Sequence, residues 1–150
     1  MKVTWHIKYW EALTADELYE LLALRMQVFV VEQNCPYQDA DGKDKKSLHL
    51  FATADDGTMY ACARLVKPGV SYAEWSVGRV ATSAQVRRAG LGRELMQRAM
   101  DYFKTEQNNP PIRISAQSYL QKFYEGYDFV CTGKEYMEDD IPHIEMLYTP

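Results

Sequence analysis

The sequence predicts a mixed α/β domain around a largely antiparallel sheet. Strand-like segments outnumber helical ones, and two of them, "LHLFATA" and "TMYACARLV", flank Asp55-Asp56-Gly57 as a hairpin. The helical segments carry apolar residues at three- and four-residue spacing. Taken in order, the elements read β-α-β-β-β-α-β-α-β-β, with no repeat or linker-like break. At 150 residues the chain is expected to form one domain over residues 1–150.

Lys2 to Lys8 is the opening strand. A helix follows from about Ala15 to Val31: Thr14 and Glu17 have capping-box spacing, and Leu18, Leu21, Leu22, Val28 and Phe29 share a face. Asn34 to Lys46 is turn-rich and charged, a loop with room for a short helical turn. The hairpin leads through Pro68-Gly69 to a third strand in "AEWSVGRVATS". A helix from about Gly90 to Thr105 turns Leu91, Leu95, Met96, Ala99 and Phe103 inward, with Arg93, Gln97, Arg98 and Asp101 outward. "PIRISA" alternates as a strand. "SYLQKFYEG" is helical, grouping Tyr119, Leu120, Phe123 and Tyr124, and "DFVCTGKEY" and "HIEMLYT" are the closing strands.

Composition narrows the function. With 47% hydrophobic and 25% charged residues the chain is an ordinary globular one, and a net charge of -4 argues against broad nucleic-acid binding. No apolar run approaches the ~18 residues of a membrane span, and no cleavable signal precedes the fold. Cys35, Cys62 and Cys131 are odd in number and lack C-x-x-C spacing, which suits free thiols in a reducing cytoplasm.

"QVRRAGLGRELM", Gln85 to Met96, places glycines where a helix begins, at a cost of about 1 kcal/mol relative to alanine. A helix N-terminus offers unpaired amides and positive dipole, and glycine lets the backbone approach an anion. Arg87, Arg88 and Arg93 add charge. The pattern is neither a Walker loop nor a dinucleotide fingerprint. The competing reading is a solvated basic turn.

Arg87-x-x-Gly90-x-Gly92 between strand and helix resembles the acetyl-CoA pyrophosphate loop of GCN5-related N-acetyltransferases (GNAT). The order of elements is similar to that family along nearly the whole chain. The resemblance implies the GNAT fold and acetyl-CoA as co-substrate, with no metal. The Val80 and Thr82 backbones would bind the pantetheine arm. The amides of Arg88, Ala89, Gly90, Leu91, Gly92 and Arg93 would hold the pyrophosphate beside Arg87. "FYEGYDF" resembles the family's F-Y-x-x-x-G-F run and puts Tyr124 where an acid protonates the departing thiolate. Asp128 replaces the usual glycine there, and aspartate tolerates left-handed angles. "LRMQVFVVEQNCPYQDADGKD", "ISAQSYLQKFY" and "EDDIPHIEM" resemble the ElaA-like branch.

Acetyl transfer to an amine needs a base for the nitrogen's proton and no protein nucleophile. Glu32 in "FVVEQ" and His143 in "DIPHIEM" are the candidate bases. Their bland alternatives are a helix-end ion pair and a structural hydrogen bond. Arg64 and Arg79, inside apolar strands, either bind an acidic acceptor or pair with a carboxylate such as Glu32 or Glu74; pairing is the preferred reading. Cys35 lacks any local pattern for Cys-His catalysis with His49 or His143. "DADGKD" fails as a calcium loop, with Lys43 and Asp44 at the wrong positions. His6, His49 and His143 lack metal-ligand spacing.

The resulting expectation is a cytoplasmic acetyl-CoA-dependent N-acetyltransferase acting in a ternary complex. Its acceptor is a primary amine of a small molecule in preference to a protein, with neither nucleic acid nor membrane as partner. A homodimer is left open. The rivals are an acyl-homoserine-lactone-synthase-like enzyme, suggested by Arg25 to Phe29, and a CoA-binding sensor without turnover.

Overall fold

The computed structural model describes residues 2–150. Its regular elements are β1 (Thr4–Tyr9), α1 (Ala15–Met26), β2 (Ser47–Thr53), β3 (Met59–Val66), β4 (Ser76–Thr82), α2 (Leu91–Glu106), β5 (Ile112–Gln117), α3 (Gln121–Glu125), β6 (Phe129–Glu138) and β7 (Ile141–Tyr148). The order is the one the sequence predicts. Pairing within the sheets is antiparallel, but the strands divide into two sheets, β1-β2-β3-β4 and β5-β7-β6.

β2 and β3 read as near-continuous apolar runs because both faces of their sheet are covered. On one face Leu48, Leu50, Ala52, Ala61, Ala63 and Leu65 pack with Leu91, Leu95, Met96, Ala99 and Phe103 of α2. On the other, Phe51, Met59, Cys62 and Ala81 pack with Leu21 and Leu24 of α1. Burying one leucine such as Leu95 contributes about 1.5–3 kcal/mol, so these two layers hold both helices against the sheet. The Thr14–Glu17 capping box forms in both directions, at 3.0 and 2.9 Å.

The sheets meet at one parallel bridge, Trp75 with Ile112, where the Arg113 amide donates to the Trp75 carbonyl at 2.9 Å. The Arg113 guanidinium ties this junction further, to Glu74 at 2.9 Å and Glu145 at 3.1 Å. From here β4 and β5 run in the same direction and part. Their facing edges are unpaired toward Thr82 and Gln117, and this V-shaped opening is where the site lies.

Four local expectations are corrected. The helix expected to Val31 is α-helical only to Met26, and Gln27–Glu32 winds as a π-helix; the wider turn continues in the Cys35 amide, which donates to the carbonyl of Val30, five residues back. Leu24 and Arg25 are buried on α1, whereas Leu22 is only half-buried. Tyr119 is 73% exposed instead of grouped with Tyr124, because Ser118–Leu120 forms a tighter 3-10 turn before α3 and shifts the facing. β6 and β7 are longer than expected and join through Asp139-Asp140, both at positive φ, 50° and 61°. That two-residue turn lacks the glycine that usually signals it. Asp128, by contrast, adopts the left-handed conformation expected of it, with φ 69°.

Candidate active site

The stretch from Ala84 to Ala89 is a 3-10 helix, with Ser83 Oγ accepting from the Gln85 amide. Gly90 then turns the chain with φ 79° and ψ 12°, a left-handed geometry that favours glycine, and becomes the N-cap of α2 without a capping side chain. The amides of Leu91, Gly92 and Arg93 in the first turn thus meet no side-chain cap, at the positive end of a 16-residue helix. Gly92 has ordinary backbone angles. A Cβ there would lie 3.8 Å from Thr82 Cγ2, in the space between helix and strand edge. The first glycine serves the turn and the second keeps that space open.

The edge of β4 completes this end. The Ser83 amide points to Tyr60 of β3 at 2.9 Å. Alternate residues face opposite edges of a strand, so Thr82 and Val80 direct their backbone groups into the opening. A non-glycine residue at positive φ, Arg79 at 50°, sits where the β3–β4 register shifts, a bulge that bends β4 beside the cleft. An open strand edge ending at uncapped amides fits an extended amide-bearing arm that terminates in phosphate.

The arginines of the loop are placed differently from one another. Arg88 and Arg93 project into solvent, and the Leu91 side chain is in the core. Among the residues of this loop, Arg87 and Gly92 line the cavity. Arg87 ion-pairs with Glu32, and its Nη2 donates to the Thr82 carbonyl at 3.2 Å.

A cavity of about 870 Å³ connects this end to the rest of the cleft, and Val80, Thr82, Tyr124, Glu32 and His143 all line it. Residues separated by more than a hundred positions are brought to one space. Tyr124 is 7% exposed, edge-on to Phe123 and Phe129. Burial, aided by nearby Tyr119, pushes its phenol well above the usual range, so it keeps its proton.

His143 stacks on Tyr136 and donates from Nδ1 to the Ile141 carbonyl at 2.7 Å. That bond orients the ring, with Nε2 3.3 Å from a Glu138 carboxylate oxygen on the cavity side. Tyr136 in turn hydrogen-bonds Ser115 of β5. Burial and the neighbouring Tyr136 hydroxyl push the Tyr72 phenol on the same wall far up.

The floor of this end is an ionic cluster that sequence reasoning missed. Arg25 of α1 binds Asp44 at 2.8 Å and Asp39 at 2.7 Å; Arg64 of β3 binds Asp41 at 2.6 Å and Asp44 at 3.1 Å; Arg79 of β4 binds Asp39 at 2.9 Å. Pairing with carboxylates is as preferred for Arg64 and Arg79, but the partners are not Glu32 or Glu74, which hold Arg87 and Arg113. The "DADGKD" loop folds over the α1 face of the sheet and delivers all three aspartates. Burial opposes the charge on Asp41 and Asp44, but hydrogen bonds and charge from Arg64 and Arg25 outweigh it and hold both carboxyls below their usual range. His49, fully buried, donates from Nε2 to the Asp44 carbonyl at 2.9 Å, and burial lowers its pKa. Tyr37 donates to Asp39 at 3.0 Å, and burial pushes its phenol up to about 12. The available signal was three arginines inside apolar segments beside a loop with three aspartates.

Sequence comparison places this geometry. The profile of the family described as "Acetyltransferase (GNAT) domain" matches residues 13–150. The chain belongs to the GNAT acetyltransferase family. It is 36% identical over 146 residues to the protein ElaA of Escherichia coli, covering 96% of this chain and 95% of ElaA, and 40% identical over 148 residues to a UPF0039 protein of Synechocystis sp., covering 99% and 96%. The crystal structure of an acyl-CoA N-acyltransferase from Pseudomonas aeruginosa superposes with a TM-score of 0.93 at 43% identity, over 99% of this chain and 100% of that one. That of E. coli ElaA gives 0.90 at 35%, again over 99% and 100%. The protein is therefore a GNAT acyltransferase of the ElaA-like group, a family that uses an acyl-CoA. A CoA-dependent acyl-homoserine lactone synthase, BjaI, shares the fold with a TM-score of 0.77 at 17% identity. Among the described residues no helix is long and apolar enough to cross a membrane, and no group of three or more His, Cys, Asp or Glu side chains is arranged to hold a metal ion.

Proposed function

We propose that this GNAT protein is an acetyl-CoA-dependent N-acetyltransferase that acetylates a primary amine, of a small molecule in preference to a protein, by direct transfer in a ternary complex. Residues 1–150 act as one catalytic unit in the cytoplasm. The observation that carries the reading is the continuity of one cavity from the open edge of β4 and the uncapped turn of α2 to Tyr124 and His143. When bound, acetyl-CoA supplies an activated thioester carbonyl.

The chain's own residues do the rest. Val80 and Thr82 bind the pantetheine arm through backbone groups. The backbone from Arg88 through Ala89 and Gly90 to Leu91, Gly92 and Arg93 cradles the pyrophosphate, with α2's first-turn amides foremost and Arg87 beside them. Tyr124 donates its phenolic proton to the departing sulfur, a role suited to a hydroxyl that burial keeps protonated. His143 accepts the proton of the attacking amine at Nε2 while Glu138 balances the charge. Glu32 is the second carboxylate within reach of the same space.

Thiol release from acetyl-CoA, measured against a broad panel of amines, tests the reading. Amine-dependent release supports it; CoA binding without release on any amine returns it to a CoA-binding module.

A further inference from the structure

The two ends of the cleft touch through the ion pair of Arg87 with Glu32. Glu32 ends the π-wound segment after α1, and Arg87 lies within the 3-10 turn before α2. Their side chains are 25% and 44% exposed, and both line the cavity. Arg87 also covers the Thr82 carbonyl, a group at the open edge of β4. This arginine thus engages one group that the proposed cofactor arm would use and one on the proposed acceptor side.

An exposed carboxylate holds an arginine weakly, by about 0.2–1 kcal/mol. Phosphate oxygens offer the guanidinium a bidentate, charge-assisted match. They would lie at the amides of α2's first turn, beside Arg87.

We propose that Arg87 exchanges partners when CoA binds: it leaves Glu32 for the pyrophosphate, and Glu32 becomes an unpaired carboxylate on the acceptor wall. The inference rests on the reading that CoA occupies this loop. Its consequence is order. Cofactor binding uncovers Glu32, so the acceptor side is completed only after the donor side is filled, and by linkage whatever neutralises Glu32 in place of Arg87 favours the cofactor.

The experiment is calorimetric titration of CoA at low ionic strength, where exposed charge pairs are least screened. It uses the full chain, Glu32→Gln, Arg87→Gln and the double variant, with pantetheine as a probe that lacks the pyrophosphate. Circular dichroism confirms that each is folded. Glu32→Gln is expected to tighten CoA about two- to fivefold, the equivalent of the surface pair it releases. The same change is expected to do nothing in the Arg87→Gln background and nothing to pantetheine. Unchanged or weaker CoA binding by Glu32→Gln overturns the exchange. So does equal tightening with and without Arg87, which would be a general charge effect. Absence of CoA binding by the unaltered protein removes the cofactor reading itself, and is seen before any variant is compared.

Discussion

At one end of the cleft the groups that face the opening are main-chain atoms: the edge of β4 at Val80 and Thr82, and the first amides of α2 beyond Gly90. At the other end they are side chains from distant segments: His143 on Tyr136, and Arg64, Arg79 and Asp41, backed by the buried Arg25, Asp39 and Asp44. A main-chain site tolerates many side chains, provided that turn and space survive. A side-chain site fails when one member is lost, because its charges are buried against one another. The first construction suits a ligand whose chemistry does not vary.

Tyr124 stands between the ends and gives the sharpest test. Tyr124→Phe keeps the ring against Phe123 and Phe129 and removes only the hydroxyl. Turnover on an identified amine is expected to fall ~10²–10⁴-fold, the usual contribution of a general acid, with CoA affinity nearly unchanged. Turnover within a few-fold of the unaltered protein would leave Tyr124 as a core aromatic.

The same contrast explains what could be read in the sequence. The order of elements along the chain, the inward face of α2 and the glycine turn at Gly90 are encoded over a few contiguous residues. So is Thr14–Glu17. The ionic cluster is not: Arg25, Asp39, Asp44, Arg64 and Arg79 lie on four segments, and only the packing of α1 on the sheet decides which cation meets which carboxylate. Glu32 illustrates the limit. Its sequence position fits both a base and an ion pair, and the pairing with Arg87 depends on a π-helical turn that hydrophobic periodicity does not signal. The division into two sheets was equally hidden, because period-2 alternation marks a strand and not its neighbour.

Removing one charge from each end should separate the two constructions. Arg25→Met leaves Asp39 and Asp44 without their deepest partner, and loss of one member of a buried pair is expected to cost about 3–5 kcal/mol. Arg88→Gln and Arg93→Gln, at exposed positions, should change stability by no more than about 0.5 kcal/mol. Urea unfolding measures all three, and similar losses across them would erase the distinction.

His143→Gln probes the proposed acceptor end kinetically. Loss of a proton acceptor at Nε2 should lower amine turnover by ~10²-fold, the lower range for general-base catalysis, with acetyl-CoA affinity unaltered. A matched fall in cofactor affinity would show that His143 shapes the cleft as a whole.

The smallest effect is the response of stability to acid, which should belong to the end that holds the ionic cluster. His49 has a folded pKa below its unfolded value of about 6.5, so the unfolded chain binds the proton more readily. Its stabilising contribution is complete above that unfolded value and is lost as pH falls toward the folded one. Asp41 and Asp44 are likewise depressed below an unfolded value of about 3.9. Their contribution is complete above it and is lost as pH falls through their folded values. Stability should therefore decline in two stages, the first beginning near pH 6.5 and the steeper one below about pH 4. His49→Gln should abolish the first stage. Arg25→Met should flatten the second, because without Arg25 the Asp44 carboxyl titrates closer to its unfolded value. At the end of the cleft near Gly90 the groups are backbone amides and exposed arginines, with Glu32 paired to Arg87. Unfolding free energies from pH 7 to pH 3 measure both stages, and a single transition unmoved by either substitution would show that acid acts elsewhere than on the buried cluster.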